Sequence, residues 1–467
     1  MKKREFIAHI SIFLVVFLMT VSSVFAVEGT VPGTGVQAQS GFSILATGNS
    51  LEPVVSETGK LTLSVDGLGM FPSSTGTIQV EKPAGATVKA AYLAAATTGF
   101  SGATLVNGDI ELEGTGVTWS DTVANSIGSN NYFADVTSIV KPVIDAAAAG
   151  IVDIDVEEVK PTFDVDGSIL AVIFDDPSQT HDNTIVLFFG AQDIAGDTFN
   201  IGLADPIDTG ESGFALDMSL GISFSFQPAG QFSQIDVNGD RLTTSAGGQD
   251  DGLPTDGALL TVGGIGDTNS NPADPLATDS AGPRSDDELY SLVPFVENGE
   301  TSITVDTLNP SDDDNIFFSA LFLGSTSAVV GEGIVLSPTE AVNPLGAEHT
   351  VTATVQDDEG NPVEGVTVDF NIISGPNNGG FGSDVTDSDG KATFSYVGNT
   401  VGTDVIVASF VNGEEQEITS NQATKEWVEE CTEECEPPPS NDIPEFGTIR
   451  AAFALSGIGA YLYRKRK

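Results

Sequence analysis

The stretch His349-Thr-Val-Thr-Ala-Thr-Val355 decides the fold class. Val351, Ala353 and Val355 alternate with Thr350, Thr352 and Thr354, so an extended chain puts the apolar side chains on one face and the hydroxyls on the other. Such a strand has one face to bury, and a second sheet must cover it. Outward from this stretch, similar apolar alternation recurs over 366–372, 392–396 and 404–410. Turn-forming runs separate the strands: Asp358-Glu-Gly-Asn-Pro362, Gly375-Pro-Asn-Asn-Gly-Gly380 and Asp387-Ser-Asp-Gly390. Short strands at this spacing read as an all-β sandwich over 331–427.

Residues 41–325 carry the same signature on a larger scale. Strand candidates lie at 61–65, 87–95, 169–174, 184–189, 216–226, 259–262 and 315–323, rich in β-branched and aromatic residues. Asn238-Gly239 sits between two apolar runs, the signal of a type I′ hairpin. One helix is expected over 136–149, capped by Asp135, closed by Gly150 and shortened or broken by Pro142. The expected architecture is a large jelly-roll-like β-sandwich head followed by an Ig-like sandwich.

The 467 residues hold 17 Lys and Arg against 67 Asp and Glu, a formal net charge of −50. A protein that displaces counterions from nucleic acid needs a basic face, so this balance excludes nucleic acid as a partner. The chain is 40% hydrophobic and 18% charged, apolar enough to fold. Its positive charge is concentrated at the two ends. Lys2, Lys3 and Arg4 precede an apolar run from Ile10 to Val21 and then Val24-Phe25-Ala26, the pattern of a secretory signal peptide over 1–26. A linker, 27–40, follows. At the other end an acidic, Pro-rich stalk spans 428–443. Beyond it, 444–467 holds Pro444-Glu445-Phe446-Gly447, an apolar stretch from Ala451 to Leu462 and the basic cluster Arg464-Lys-Arg-Lys467. Twelve helical residues span only about 18 Å, short of a bilayer core of about 30 Å. Such a segment fits a sorting signal held in the membrane and cut, or a marginal permanent anchor.

Two families resemble these parts. The C-terminal arrangement resembles the tripartite signals processed by exosortases and archaeosortases, of the type built on Pro444, Glu445 and Phe446; the resemblance implies a sorting peptidase as partner and attachment to the envelope. The segment 338–427 resembles the bacterial Ig-like group 1 domain of invasin- and intimin-type surface proteins. The matching residues are His349 to Val355, Gly360-Asn-Pro-Val-Glu-Gly-Val-Thr-Val368, Thr386-Asp-Ser-Asp-Gly-Lys-Ala-Thr-Phe394, Gly402-Thr-Asp404 and Ser420-Asn-Gln-Ala-Thr-Lys-Glu-Trp427. That resemblance implies a rigid spacer and brings no catalytic residue. Phrases in the head, among them Asp166-Gly-Ser-Ile-Leu-Ala-Val-Ile-Phe-Asp-Asp-Pro177, resemble uncharacterised exported prokaryotic surface proteins.

Chemistry is sparse. With His9 in the signal peptide, His181 and His349 stand alone, and no His-pair metal motif or Gly-x-Ser-x-Gly is present. No catalytic residue is assigned, and the chain is read as a non-enzyme. Calcium is the one cofactor the sequence invites: Asp312, Asp313, Asp314 and Asn315 first, then Asp286, Asp287 and Glu288, lie in turns where carboxylates and carbonyls can supply hard oxygens. The competing reading is that Asp is favoured in turns and on acidic surfaces. Cys431 and Cys435 lie in the stalk, where a short disulfide would persist outside the cell. The expected function is an exported, surface-anchored structural or adhesive protein. The alternative is calcium-assisted carbohydrate binding, with surface glycans or other surface proteins as partners.

Overall fold

The structure, a computed structural model, describes residues 50–69, 74–159, 164–211, 213–224, 233–246, 260–262 and 289–429, all within one compact unit, Gly41–Lys467. The strands of Val165–Asp175 and Asn183–Gly190 form its spine, and their sequences show why. Ile169, Ala171 and Ile173 share a central core with Ile185, Leu187 and Phe189. The intervening Leu170, Val172 and Phe174 enter a second core, while Val186 and Phe188 enter a third. Both faces of each strand are covered, so both read as near-continuous apolar runs. The strand Gly150–Glu158 contrasts with them: Val152, Ile154 and Val156 are buried, while Ile151, Asp153, Asp155 and Glu157 face solvent.

Two inner sheets therefore pack face to face. One runs in the order Leu51–Gly59, Asn183–Gly190, Asn315–Gly324, Ala215–Ser223 and Leu260–Val262, with Leu289–Ser291 also on Ala215–Ser223. The other runs Leu61–Gly69, Val165–Asp175, Thr87–Thr97, Asn130–Asp135 and Asp121–Ala124. An outer sheet covers each. Thr75–Lys82, Gly150–Glu158, Ile110–Leu112 and Thr115–Gly116 lie over the second inner sheet; Asp240–Ala246, Ser233–Val237, Ser302–Leu308, Thr198–Leu203 and Ala328–Val330 lie over the first. The expected all-β sandwich is present, and it stacks four sheets around three cores.

The expected hairpin forms at Asn238-Gly239, where φ values of +51° and +82° give the two left-handed residues that a type I′ turn requires. The helix spans Thr137–Ala146, shorter than the sequence pattern. Asp135 Oδ1 accepts from Thr137 N at 2.8 Å, and Lys82 Nζ donates to the carbonyls of Asp145 and Ala147 at 2.9 Å each, satisfying groups the last turn leaves open. Pro142 is tolerated within it, where it forfeits one helical bond while Val140 and Ile144 stay buried.

The remaining strands make a two-sheet sandwich. Gly333–Ser337, Glu348–Gln356 and Lys391–Val397 form one sheet. Glu340–Pro344, Ala423–Val428, Gly402–Val411, Thr367–Ser374 and Phe381–Val385 form the other, with Glu417–Thr419 on Gly402–Val411. Val351, Ala353 and Val355 are fully buried against Val368, Phe370, Ile372, Ile406 and Ala408. Among the described pairings one is parallel: Glu340–Pro344 runs alongside Ala423–Val428.

Candidate functional site

Only Gly331 and Glu332 separate the strand Ala328–Val330, in the outer sheet of the stack, from Gly333–Ser337, which opens the C-terminal sandwich. Polar contacts brace this short passage. Asp205, just past the strand Thr198–Leu203, accepts from Ser337 Oγ at 2.8 Å and from Thr339 N at 3.0 Å, and also from the Thr339 hydroxyl. Asn200 Nδ2 donates to the Glu359 carbonyl at 2.7 Å, and Thr304 Oγ1 holds the Asn200 amide from behind at 2.9 Å. From the other side, Gln356 Nε2 donates to the Gly331 carbonyl at 2.9 Å. The joint is thus a strand-to-strand passage closed by side chains far apart in sequence, with no flexible linker between the two bodies.

At the far end of the sandwich a second polar centre ties down the last strand. Asp404 is fully buried and accepts from Trp427 Nε1 at 2.7 Å, Asn377 N at 2.8 Å, Asn377 Nδ2 at 2.7 Å and Tyr396 Oη at 3.1 Å. A buried carboxylate is tolerable when its oxygens are filled by donors in this way. Trp427 packs edge-on against Tyr396, ring centroids 5.6 Å apart. A Cβ at Gly398 would lie 2.2 Å from Trp427 Cε2, so only glycine fits beneath the indole. Lys425 lies beside it, its Nζ 4.6 Å from the Trp427 ring and donating to the Glu426 carbonyl at 2.8 Å. Desolvation lowers the Lys425 pKa to about 8, against the opposing pull of Glu426 and Asp404. Desolvation, then the Lys425 charge, lowers His349 to about 4. Burial and then Asp404 push the Tyr396 hydroxyl above its usual range.

The acidic turn singled out in the sequence is divided by the fold. Asp312 is exposed, with φ +49°, and its N–H donates to Asn309 Oδ1 at 2.8 Å. Asp314 is buried; Ser233 Oγ and Ser311 Oγ approach its carboxylate at 3.4 Å, and Ser233 also donates to Gln192 Oε1 at 2.9 Å. Asn315 is buried too, its amide facing Asn131 and the Gln192 backbone. Burial, reinforced by Asp313, raises Asp314 to about 7. Asp197, on the neighbouring loop, is raised to about 7 by burial, with Asp193 and Glu52 adding to the effect. Among the described residues no three His, Cys, Asp or Glu side chains gather as a metal-holding group. Asp286, Asp287, Glu288, Cys431, Cys435, the signal peptide, the stalk from residue 430 onward and Pro444 to Gly447 lie outside the described residues; Val428, expected from the sequence to belong to the stalk, instead closes the last strand. No helix among the described residues is long and apolar enough to cross a membrane.

Sequence reasoning missed Asp205, Asn200 and Gln356, whose partners lie from 25 to 159 residues away. It placed Asp404 and Trp427 only within longer motifs. The signal available for Asp404 was its position: a carboxylate at an inward-facing site of an apolar strand needs donors.

No curated protein matches the chain. Among solved structures, the D0-D1 domain of intimin aligns at 14% identity and TM-score 0.19, covering 52% of this chain and 89% of its own. A putative membrane anchored protein from Corynebacterium diphtheriae aligns at 10% identity and TM-score 0.20, covering 82% of this chain and 61% of its own, so this chain spans less than two thirds of that protein. The pilus backbone RrgB from Streptococcus pneumoniae aligns at 9% identity and TM-score 0.14, over 78% and 93%. Superpositions this loose equate no site of this chain with a site of theirs. Residues 336–425 match the family described as the bacterial Ig-like domain (group 1).

Proposed function

We propose that the chain is an exported surface protein with a structural or adhesive role, in which the Ig-like sandwich holds the four-sheet head away from the envelope. The observation that carries this reading is the joint at Asp205. A spacer must fix the direction of what it carries, and side-chain bonds across a two-residue passage do so where a flexible linker would not. The match of 336–425 to the bacterial Ig-like family supports the same reading. So does the acidity of the exposed surface, which keeps such a chain hydrated and discourages edge-to-edge association.

The head carries the contact with other surface components or glycans, and the C-terminal segment from Pro444 carries attachment to the envelope. The proposal assigns the chain no catalytic residue. Cell fractionation tests it: the chain is expected in the envelope fraction, and recovery as a free cytosolic protein would sink the idea.

A further inference from the structure

We infer that the C-terminal sandwich is a tension-bearing clamp, with the load running from Asp205 through Thr339 into the parallel strands Glu340–Pro344 and Ala423–Val428. Thr339 is gripped on both sides. Its N–H and hydroxyl are held by Asp205 of the four-sheet stack, while its carbonyl accepts from Thr424 N, at the start of the last strand, at 2.8 Å. From that point the two strands run together in register, Glu340 beside Thr424 through Pro344 beside Val428, and Leu345 N closes the far end on the Val428 carbonyl at 2.9 Å.

Direction decides the mechanical consequence. The chain enters this pair at its Thr339 end and leaves it at Val428, so pulling the stack away from the chain beyond Val428 slides one strand along the other. The bonds of a parallel ladder are evenly spaced, and under sliding they are strained together and must fail together. If instead Pro344 and Val428 were drawn apart, the same bonds would open one after another. The Trp427–Asp404 bond adds to resistance against sliding, because the last strand cannot advance without withdrawing the indole from beneath Tyr396 and past Gly398. That such a load arises in the cell rests on the proposed surface attachment, but the clamp itself does not.

Single-molecule force spectroscopy on the full chain, with Cys431 and Cys435 replaced by Ser, tests the clamp. Handles at Pro206→Cys and Glu429→Cys, both exposed positions, load the pair in sliding; handles at Pro344→Cys and Glu429→Cys load it in peeling. Forced unfolding reads the barrier along the pulled direction. The sliding geometry is expected to rupture at several-fold higher force than the peeling one. Opening of the sandwich is recognised by an extension of about 300 Å, from nearly 90 residues at about 3.5 Å each. Thermal melting of both handle variants checks that each is folded before pulling. Equal rupture forces in the two directions, or a higher force on peeling, would overturn the clamp. This outcome is independent of cell fractionation, so failure of the clamp and failure of the surface reading are separately visible.

Discussion

Trp427 Nε1 donates a 2.7 Å hydrogen bond to Asp404 Oδ2, joining the last strand of the sandwich to a buried carboxylate on the strand beside it. The bond removes the one polar atom that would otherwise make the indole costly to bury, and it supplies one of the four donors that make the carboxylate tolerable. Replacing Trp427 by Phe is expected to lower the stability of the sandwich by about 2–4 kcal/mol, from lost packing and an under-satisfied carboxylate. Asp404→Asn should cost less than Asp404→Ala, because the amide keeps one acceptor. Urea unfolding of the three variants checks the order, and an Asp404→Ala variant as stable as the parent would contradict it.

Gly398 lies under the same indole. A methyl group there would sit 2.2 Å from the ring, so Gly398→Ala is expected to destabilise by about 1–3 kcal/mol or more through overpacking. A shift of Trp427 fluorescence should accompany the loss, since the ring has to move. A neutral substitution would mean that the strand ends yield more easily than their packing implies.

Asp314 in the stack and His349 in the sandwich should contribute to stability with opposite dependences on pH. Asp314, raised to about 7 in the folded state, contributes stability that is full below its unfolded pKa near 4 and is lost as pH climbs from there through 7. Asp314→Asn should therefore stabilise the stack at pH 8, with an effect on the order of a few kcal/mol, and gain little at pH 4. Thermal melts across this range test the sign.

His349, lowered to about 4, behaves the other way. Its contribution is complete above the unfolded pKa near 6.5 and is lost as pH falls through 4, where the buried ring beside Lys425 must take up a proton. A His349→Gln variant is expected to lose part of the parent's acid sensitivity in the sandwich. An unchanged acid limb would place the sensitivity elsewhere.

At the joint, Asp205→Ala removes the acceptor shared by Ser337 and Thr339. The coupling between stack and sandwich should weaken by about 1–3 kcal/mol, and small-angle scattering should report a broader distribution of end-to-end distances. An unchanged scattering profile would show that Asn200, Gln356 and the short passage hold the angle unaided.

The sequence made some of this legible and concealed the rest for identifiable reasons. Alternation at Val351, Ala353 and Val355 and the Asn238-Gly239 turn are local signals, and both features formed where the residues put them. The continuous apolar runs around Ile169 and Ile185 marked strands, but a strand buried on two faces does not say which sheets cover it; the four-sheet stack is a matter of partners. The turn at 312–315 looked uniform as sequence. In space Asp312 points to solvent and Asp314 inward, because strand Asn315–Gly324 begins there and pulls one side chain into the core. Asp205 was indistinguishable from dozens of other acidic residues until its distance from Thr339 was known.

Surface exposure of the chain is the central claim, and protease treatment of intact cells tests it most directly. With antibodies against the four-sheet stack and against the sandwich, the account predicts that an external protease removes both signals while a cytosolic marker stays intact. Both signals surviving until the cells are lysed would contradict it.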